Sequence, residues 1–136
     1  SFFKELAAAF PGKVGVRLGF IPDMARKIYA GSDMFLMPSK SEPCGLSQMV
    51  ALRYGSIPIV RETGGLKDTI TDSGDGQGNG FTFKSYDAYD MLDAIHRALA
   101  AYYDKKHWST LVTRALKCDN SWGRSAREYI KLYQSL

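Results

Sequence analysis

Cysteine is scarce in this sequence: among 136 residues only Cys44 and Cys118 carry thiols, far apart and in no C-x-x-C pair. Only His96 and His107, the two histidines, could join them, and neither stands near Cys44 in sequence. This excludes a disulfide framework, suggests no zinc site, and fits a reducing, cytoplasmic compartment. Long apolar runs are missing as well. No stretch of 18 apolar residues occurs, and the opening SFFKELAAAF contains a lysine and a glutamate, so neither a membrane span nor a secretion signal is expected. The net charge of +4 is not a uniform basic surface. Residues 1–100 carry 11 Lys and Arg against 11 Asp and Glu, and residues 101–136 carry 7 against 3. In that tail Lys105, Lys106, Arg114, Lys117, Arg124, Arg127 and Lys131 are scattered, without a basic stripe or interleaved stacking aromatics. That is the pattern of solvated helix faces, and no nucleic-acid partner is expected.

What is present is a 45% apolar chain, enough to bury a core, with no linker or internal repeat to divide it. One domain over residues 1–136 is the expectation. SFFKELAAAF reads as a helix ending at Pro11-Gly12, and KVGVRLGF as a strand with alternating Val14, Val16 and Leu18. Pro22 suits the first turn of a helix closed by Gly31. DMFLMPS is a short apolar strand. GLSQMVALRYG reads as a helix with Leu46, Met49, Val50 and Arg53 on one face, Gln48 toward water and Gly55 as its stop. IPIV is a further strand, and TGGLKDTI a short helix opening at the glycine pair. DSGDGQGNG is a loop whose Asp72 and Asp75 lack the spacing and closing Glu of a calcium loop. FTFK is a short last strand. Ser85 is read as the cap of a helix carrying Met91, Ile95, Ala98 and Tyr102 on one side, and a second helix follows it. A third, SWGRSAREYIKLYQSL, has Trp122, Ala126, Tyr129, Ile130 and Tyr133 as its expected buried stripe.

Strands alternating with helices through short loops predict an α/β fold, a parallel sheet flanked by helices with further helices at the C-terminal end. In such sheets ligands sit outside the carboxyl ends of the strands, which selects residues 19–21, 39–46 and 61–66. In SKSEPCGL, Pro43 fixes the chain ahead of a helix, Gly45 permits close approach, and N–H groups near Cys44 to Ser47 face outward, fit to hold an anion. Glu42 beside them can accept from sugar hydroxyls. RETGGL repeats the design with Thr63, Gly64 and Gly65, and two such loops suit a diphosphate. Phe20 could stack on a planar base. Each residue also has a plain reading: Glu42 as a helix-dipole partner, the glycine pair as a turn, Cys44 as a small buried residue, and Phe20, Trp108 and Trp122 as core.

Taken together, SKSEPCGLSQMVALRYGSIPIVRETGGLKDTI resembles the glycogen and starch synthases of bacteria and plants, with their E-P-C-G-L-x-Q, A-L-R-Y-G and T-G-G-L-x-D-T runs. The resemblance extends through GF and ARKIYAGSDMFLMPS to the last helix. It implies a partial Rossmann-like C-terminal domain of a GT-B glycosyltransferase, with the N-terminal domain that binds the α-1,4-glucan acceptor and the diphosphate-holding Arg and Lys lying outside this chain. On that resemblance the enzyme transfers glucose from ADP-glucose to the non-reducing end of an α-1,4-glucan with retention, without metal or cofactor, and this piece is inactive alone. Glu42 is then the catalytic residue, and Phe20, Cys44, Gly45, Leu46, Thr63, Gly64 and Gly65 contact the donor, with Phe20 on adenine where many relatives have tyrosine. Val50 stands where the broader transferase group has a second glutamate, which favours the synthase branch. Two other readings remain open: a non-catalytic nucleotide-sugar or glucan-binding module, and a glycoside hydrolase using Glu42 and Glu62.

Overall fold

The computed structural model describes residues 2–136 and, at Asp75, the backbone alone. Ser1, which the sequence places in the first helix, and the Asp75 side chain lie outside the described residues. The elements run α1 (Phe2–Ala9), α2 (Pro22–Gly31), β1 (Met34–Met37), α3 (Ser47–Tyr54), β2 (Ile57–Arg61), α4 (Gly65–Thr69), a 3-10 turn (Ser73–Asp75), β3 (Phe81–Phe83), α5 (Ala88–Tyr103), α6 (Lys105–Leu116) and α7 (Trp122–Gln134). Punctuation in the sequence explains most of these bounds. Pro22 occupies the first turn of α2. Gly55 ends α3 in the left-handed conformation, its N–H and that of the next residue closing on the last-turn carbonyls.

The sheet is parallel in the order β1-β2-β3, with Met34 opposite Ile57 and Ile59 opposite Phe81. Central β2 is buried at every position from Ile57 to Val60, so both of its faces are covered, as a parallel strand requires. Pro58 is tolerated there because it lies one residue ahead of the first β2–β3 pair. The neighbouring Ile57 N–H donates toward β1, to Asp33 O, so the absent Pro58 N–H faces the side where β3 has not yet begun. The core joins Leu52, Ile57, Ile59, Val60, Leu66, Phe81 and Phe83 to Trp108 and Leu111. Ala94, Ala98 and Ala101 line the buried side of α5 and let it approach the sheet closely.

One polar network fastens the loop after α4. Arg97 Nη1 donates to both Asp72 oxygens at 2.9 and 2.8 Å, Nη2 to Thr82 O at 2.7 Å and Nε to Asp93 at 3.0 Å. Asp72 also accepts from the N–H groups of Gly74 and Thr82. Burial pushes the Asp72 carboxyl up, but the Arg97 guanidinium and those two N–H groups outweigh it and hold its pKa below the ordinary 3.8. A depressed carboxylate contributes stability that is present above 3.8 and lost as pH falls through its folded value. Arg97→Met is therefore expected to lower unfolding stability by about 2 kcal/mol at neutral pH, discounted for partial exposure. The gap from wild type should narrow in acid, as measured by urea midpoints across pH.

Several expectations are corrected. KVGVRLGF forms no strand: Val14 and Val16 are half-buried, while Arg17 and Leu18 are exposed. Its alternation offers one apolar face, whereas a parallel strand needs cover on both and a ladder partner. In the doubly wound order 3-2-1-4-5-6, strands on either side of the switch point follow one another in sequence without being neighbours. The buried face of α3 is Gln48, Ala51 and Leu52, with Leu46, Val50 and Arg53 exposed. Close packing of α3 on β2 admits the small Ala51, so side-chain size misdirected the reading of that face. Asp87, not Ser85, caps α5, its Oδ1 accepting from Tyr89 and Asp90 N–H. The Ser85 N–H is instead taken by the Asp90 carboxylate. The stripe on α7 is not buried among the described residues, and Trp122 is 90% exposed. Trp108 is buried as expected.

Candidate functional site

Two of the three loops selected from the sequence meet at the carboxyl end of the sheet. The chain leaves β1 through Pro38, runs through residues 39–46 and enters α3 at Ser47, slightly later than the motif suggested. It leaves β2 at Arg61 and turns through Glu62, Thr63 and Gly64 into the single turn of α4. The Gly65 N–H donates to Pro43 O at 3.1 Å, and Arg61 Nη1 donates to Lys40 O at 2.8 Å.

The glycine pair is what permits this contact. Gly64 lies at φ +47°, ψ −133°, a conformation that side chains disfavour. A Cβ there would overlap the Glu42 carbonyl oxygen, and a Cβ on Gly65 would overlap that of Cys44. The RETGGL backbone thus rests directly on the SEPCGL backbone. Gly45, at φ +72°, is buried in the same place.

The polar groups left over are the ones a ligand would meet. Among the described residues, the N–H groups of Cys44, Gly45, Leu46 and Gly64 have no acceptor within the chain. Glu42 is half-buried and its carboxylate has no hydrogen-bond or ion-pair partner among those residues. Thr63 is half-buried with its hydroxyl uncommitted. Cys44 and Leu46 are exposed and, with Met49, form one wall of a groove whose other wall is Trp122, Arg124 and Tyr129 of α7. Glu62 is placed differently: its Oε1 accepts from Thr82 Oγ1 at 2.7 Å, tying it to β3. Phe20 is 95% exposed on a segment that pairs with no strand, so the structure does not join residues 19–21 to the other two loops through the sheet. No group of three or more His, Cys, Asp or Glu among the described residues could hold a metal ion. No described helix is long and apolar enough to cross a membrane.

Sequence reasoning missed Gln48. Set toward water by the pattern, it is fully buried, and its amide donates to Gly45 O in the loop after β1 and to Thr69 at the end of α4. The available signal was its position three residues after Gly45 at the head of α3, where a carboxamide can turn back to the carbonyls before it.

The chain is similar to known proteins along nearly its whole length. Over 137 aligned residues the chain is 56% identical to a glycogen synthase of Geobacillus thermodenitrificans, covering 99% of this chain and 28% of that protein. A glycogen synthase of Caldicellulosiruptor bescii is 53% identical, covering 98% and 28%. The chain thus spans less than a third of the length of these curated relatives. Among solved structures, the catalytic domain of starch synthase IV from Arabidopsis thaliana, bound to ADP and acarbose, superposes with a TM-score of 0.85 at 42% identity, over 98% of this chain and 29% of that one. A sucrose-phosphate synthase from Thermosynechococcus elongatus shares the fold at a TM-score of 0.65 and 24% identity, over 97% and 33%. The profile for glycosyl transferases group 1 matches residues 3–114, and with most of its length so matched the chain belongs to that family.

Proposed function

We propose that this chain forms the donor-binding part of a glycogen or starch synthase, a retaining transferase that moves glucose from ADP-glucose to the non-reducing end of an α-1,4-glucan. The observation that carries the reading is the backbone-on-backbone packing of RETGGL against SEPCGL, which gathers unpartnered N–H groups beside one unpaired carboxylate. As the glycosidic bond breaks, the departing diphosphate gathers negative charge and the anomeric carbon positive charge. Donors fixed beforehand act most strongly where such charge develops. In this assignment the Gly45 and Leu46 N–H groups serve the glucose and the distal phosphate, and Thr63 and Gly64 the diphosphate. Glu42 orients the glucose and stabilises its positive charge. Cys44 and Gly65 line the sugar pocket, and Phe20 stacks on adenine. The starch synthase IV neighbour was solved bound to ADP, which supports a nucleotide-containing donor. The acceptor glucan belongs to a separate N-terminal domain, so residues 1–136 act as one nucleotide-sugar-binding domain without transfer activity of their own.

The test is transfer of labelled glucose. A full-length enzyme carrying this segment should extend maltooligosaccharides from ADP-glucose, and the isolated chain should not. Release of free glucose from glucan by the full-length enzyme, without donor-dependent extension, would replace the reading with a hydrolase.

A further inference from the structure

We infer that Gln48 is a positioning residue for the donor site, one that aims the Gly45 and Leu46 N–H groups outward. The inference rests on the transferase reading above. Gln48 is 0% exposed at the head of α3. Its Nε2 donates to Gly45 O at 2.9 Å and to Thr69 Oγ1 at 3.1 Å, with Cys44 O farther off at 3.4 Å. Thr69 Oγ1 in turn donates to Gly65 O at 2.7 Å. The hydroxyl proton is thereby spent on Gly65, so Thr69 can only accept from Gln48, which fixes the amide nitrogen as the group facing it. The two side chains form a relay from a carbonyl of the first loop to a carbonyl of the second.

Peptide geometry gives the relay its consequence. In a trans peptide the C=O of one residue and the N–H of the next point in opposite directions. Drawing the Gly45 carbonyl inward therefore turns the Leu46 N–H outward, and drawing in the Cys44 carbonyl does the same for the Gly45 N–H. These two N–H groups are among those left without an acceptor in the chain. A second observation sets Gln48 apart from ordinary core: its Oε1 is buried and has no hydrogen-bond partner. An unpaired buried acceptor works against folding, and an apolar side chain of the same size would avoid it. Such departures from local packing rules concentrate at functional sites.

The experiment uses the full-length enzyme carrying this segment and the variant Gln48→Met, which keeps length and volume but cannot donate. Removing the unpaired Oε1 offsets part of the lost bonding, so the melting temperature should stay within a few degrees of wild type. The KM for ADP-glucose should rise about tenfold and kcat should fall as well, because the same N–H groups meet the phosphates in the ground state and the charge that develops on them as the bond breaks. An unchanged KM, whatever the melting temperature, overturns the inference. If Gln48→Met does not fold, Thr69→Val decides: it should raise KM about threefold, with the value recovered in Thr69→Ser, which keeps the hydroxyl. Equal KM values for Thr69→Val and Thr69→Ser contradict the relay. Absence of ADP-glucose-dependent transfer in wild type would strike the transferase reading itself. In that case dissociation constants for ADP, measured on the same variants, carry the decision on Gln48.

Discussion

Gly65→Ala is expected to reduce kcat/KM for ADP-glucose by at least about 100-fold in the full-length enzyme, because displacing a reacting group by about 1 Å is enough for a loss of that size. The new Cβ would stand inside the Cys44 carbonyl, with the Cys44 backbone as the obstacle rather than a side chain able to swing away. The loops after β1 and β2 must then separate, breaking the bond from Gly65 N–H to Pro43 O and the relay from Gln48 through Thr69 to Gly65 O. Overpacking of this kind also lowers stability by roughly 1–3 kcal/mol, so circular dichroism melts should accompany the kinetics. Gly31→Ala is the matched control. A Cβ at Gly31 meets nothing within 4 Å, and the residue does not occupy the left-handed region. Wild-type kinetics for Gly65→Ala would mean that the loop contact is dispensable.

Glu42→Gln should lower kcat by about 10²–10³-fold while ADP affinity changes little, the scale seen when one preorganised electrostatic group is lost from a transition state. The substitution keeps the shape and one acceptor oxygen, puts an NH2 donor in place of the other, and removes the charge. Within the described residues that charge is not tied up: Glu42 has no cation or N–H donor on its carboxylate, whereas its own backbone is fixed by the contact with Gly64. A carboxylate that merely favoured the start of α3 would matter by about 0.3–1 kcal/mol of stability and not to turnover. Pre-steady-state glucose transfer, with ADP binding measured separately, distinguishes these roles. Near-normal turnover in Glu42→Gln would return the residue to the helix dipole.

The order of elements was legible because local punctuation and burial agree along most of the chain. Pro22, Gly55 and the apolar runs MFLM and IPIV each act within a few residues, and the structure places elements where they fall. Two of the failures depend on partners distant in sequence. Val14, Val16 and Leu18 have strand-like alternation, but a strand exists only beside a neighbour, which alternation does not name. The aromatic stripe of α7 likewise announces burial without saying against what. Ser85 and Asp87 are both competent caps, and the choice was made by Asp90 reaching back to the Lys84 and Ser85 N–H groups.

The candidate site divides in the same way. Glu42, Gly45, Thr63 and the glycine pair were visible as loop chemistry at strand ends. That Gly64 and Gly65 serve first to let one backbone lie on another was not, because the need for a missing Cβ is created by the facing loop. Gln48 was hidden for a related reason. Hydropathy assigns a carboxamide to water, while its environment here supplies two carbonyls and a hydroxyl inside the core.

The central claim is that the loops after β1 and β2 form one surface for a nucleotide sugar, and an NMR titration of the chain with ADP-glucose tests it most directly. Without the Arg and Lys that the resemblance places upstream, each a charge-assisted contact of about 1.5–3 kcal/mol, affinity should be millimolar at best. The amide shifts should concentrate at residues 42–47 and 61–66, with the Gly45, Leu46 and Gly64 N–H signals moving most, and with residues 19–21 joining them through Phe20. If saturating ADP-glucose moves only residues after 101, the contact is with the basic tail and the proposed surface is wrong.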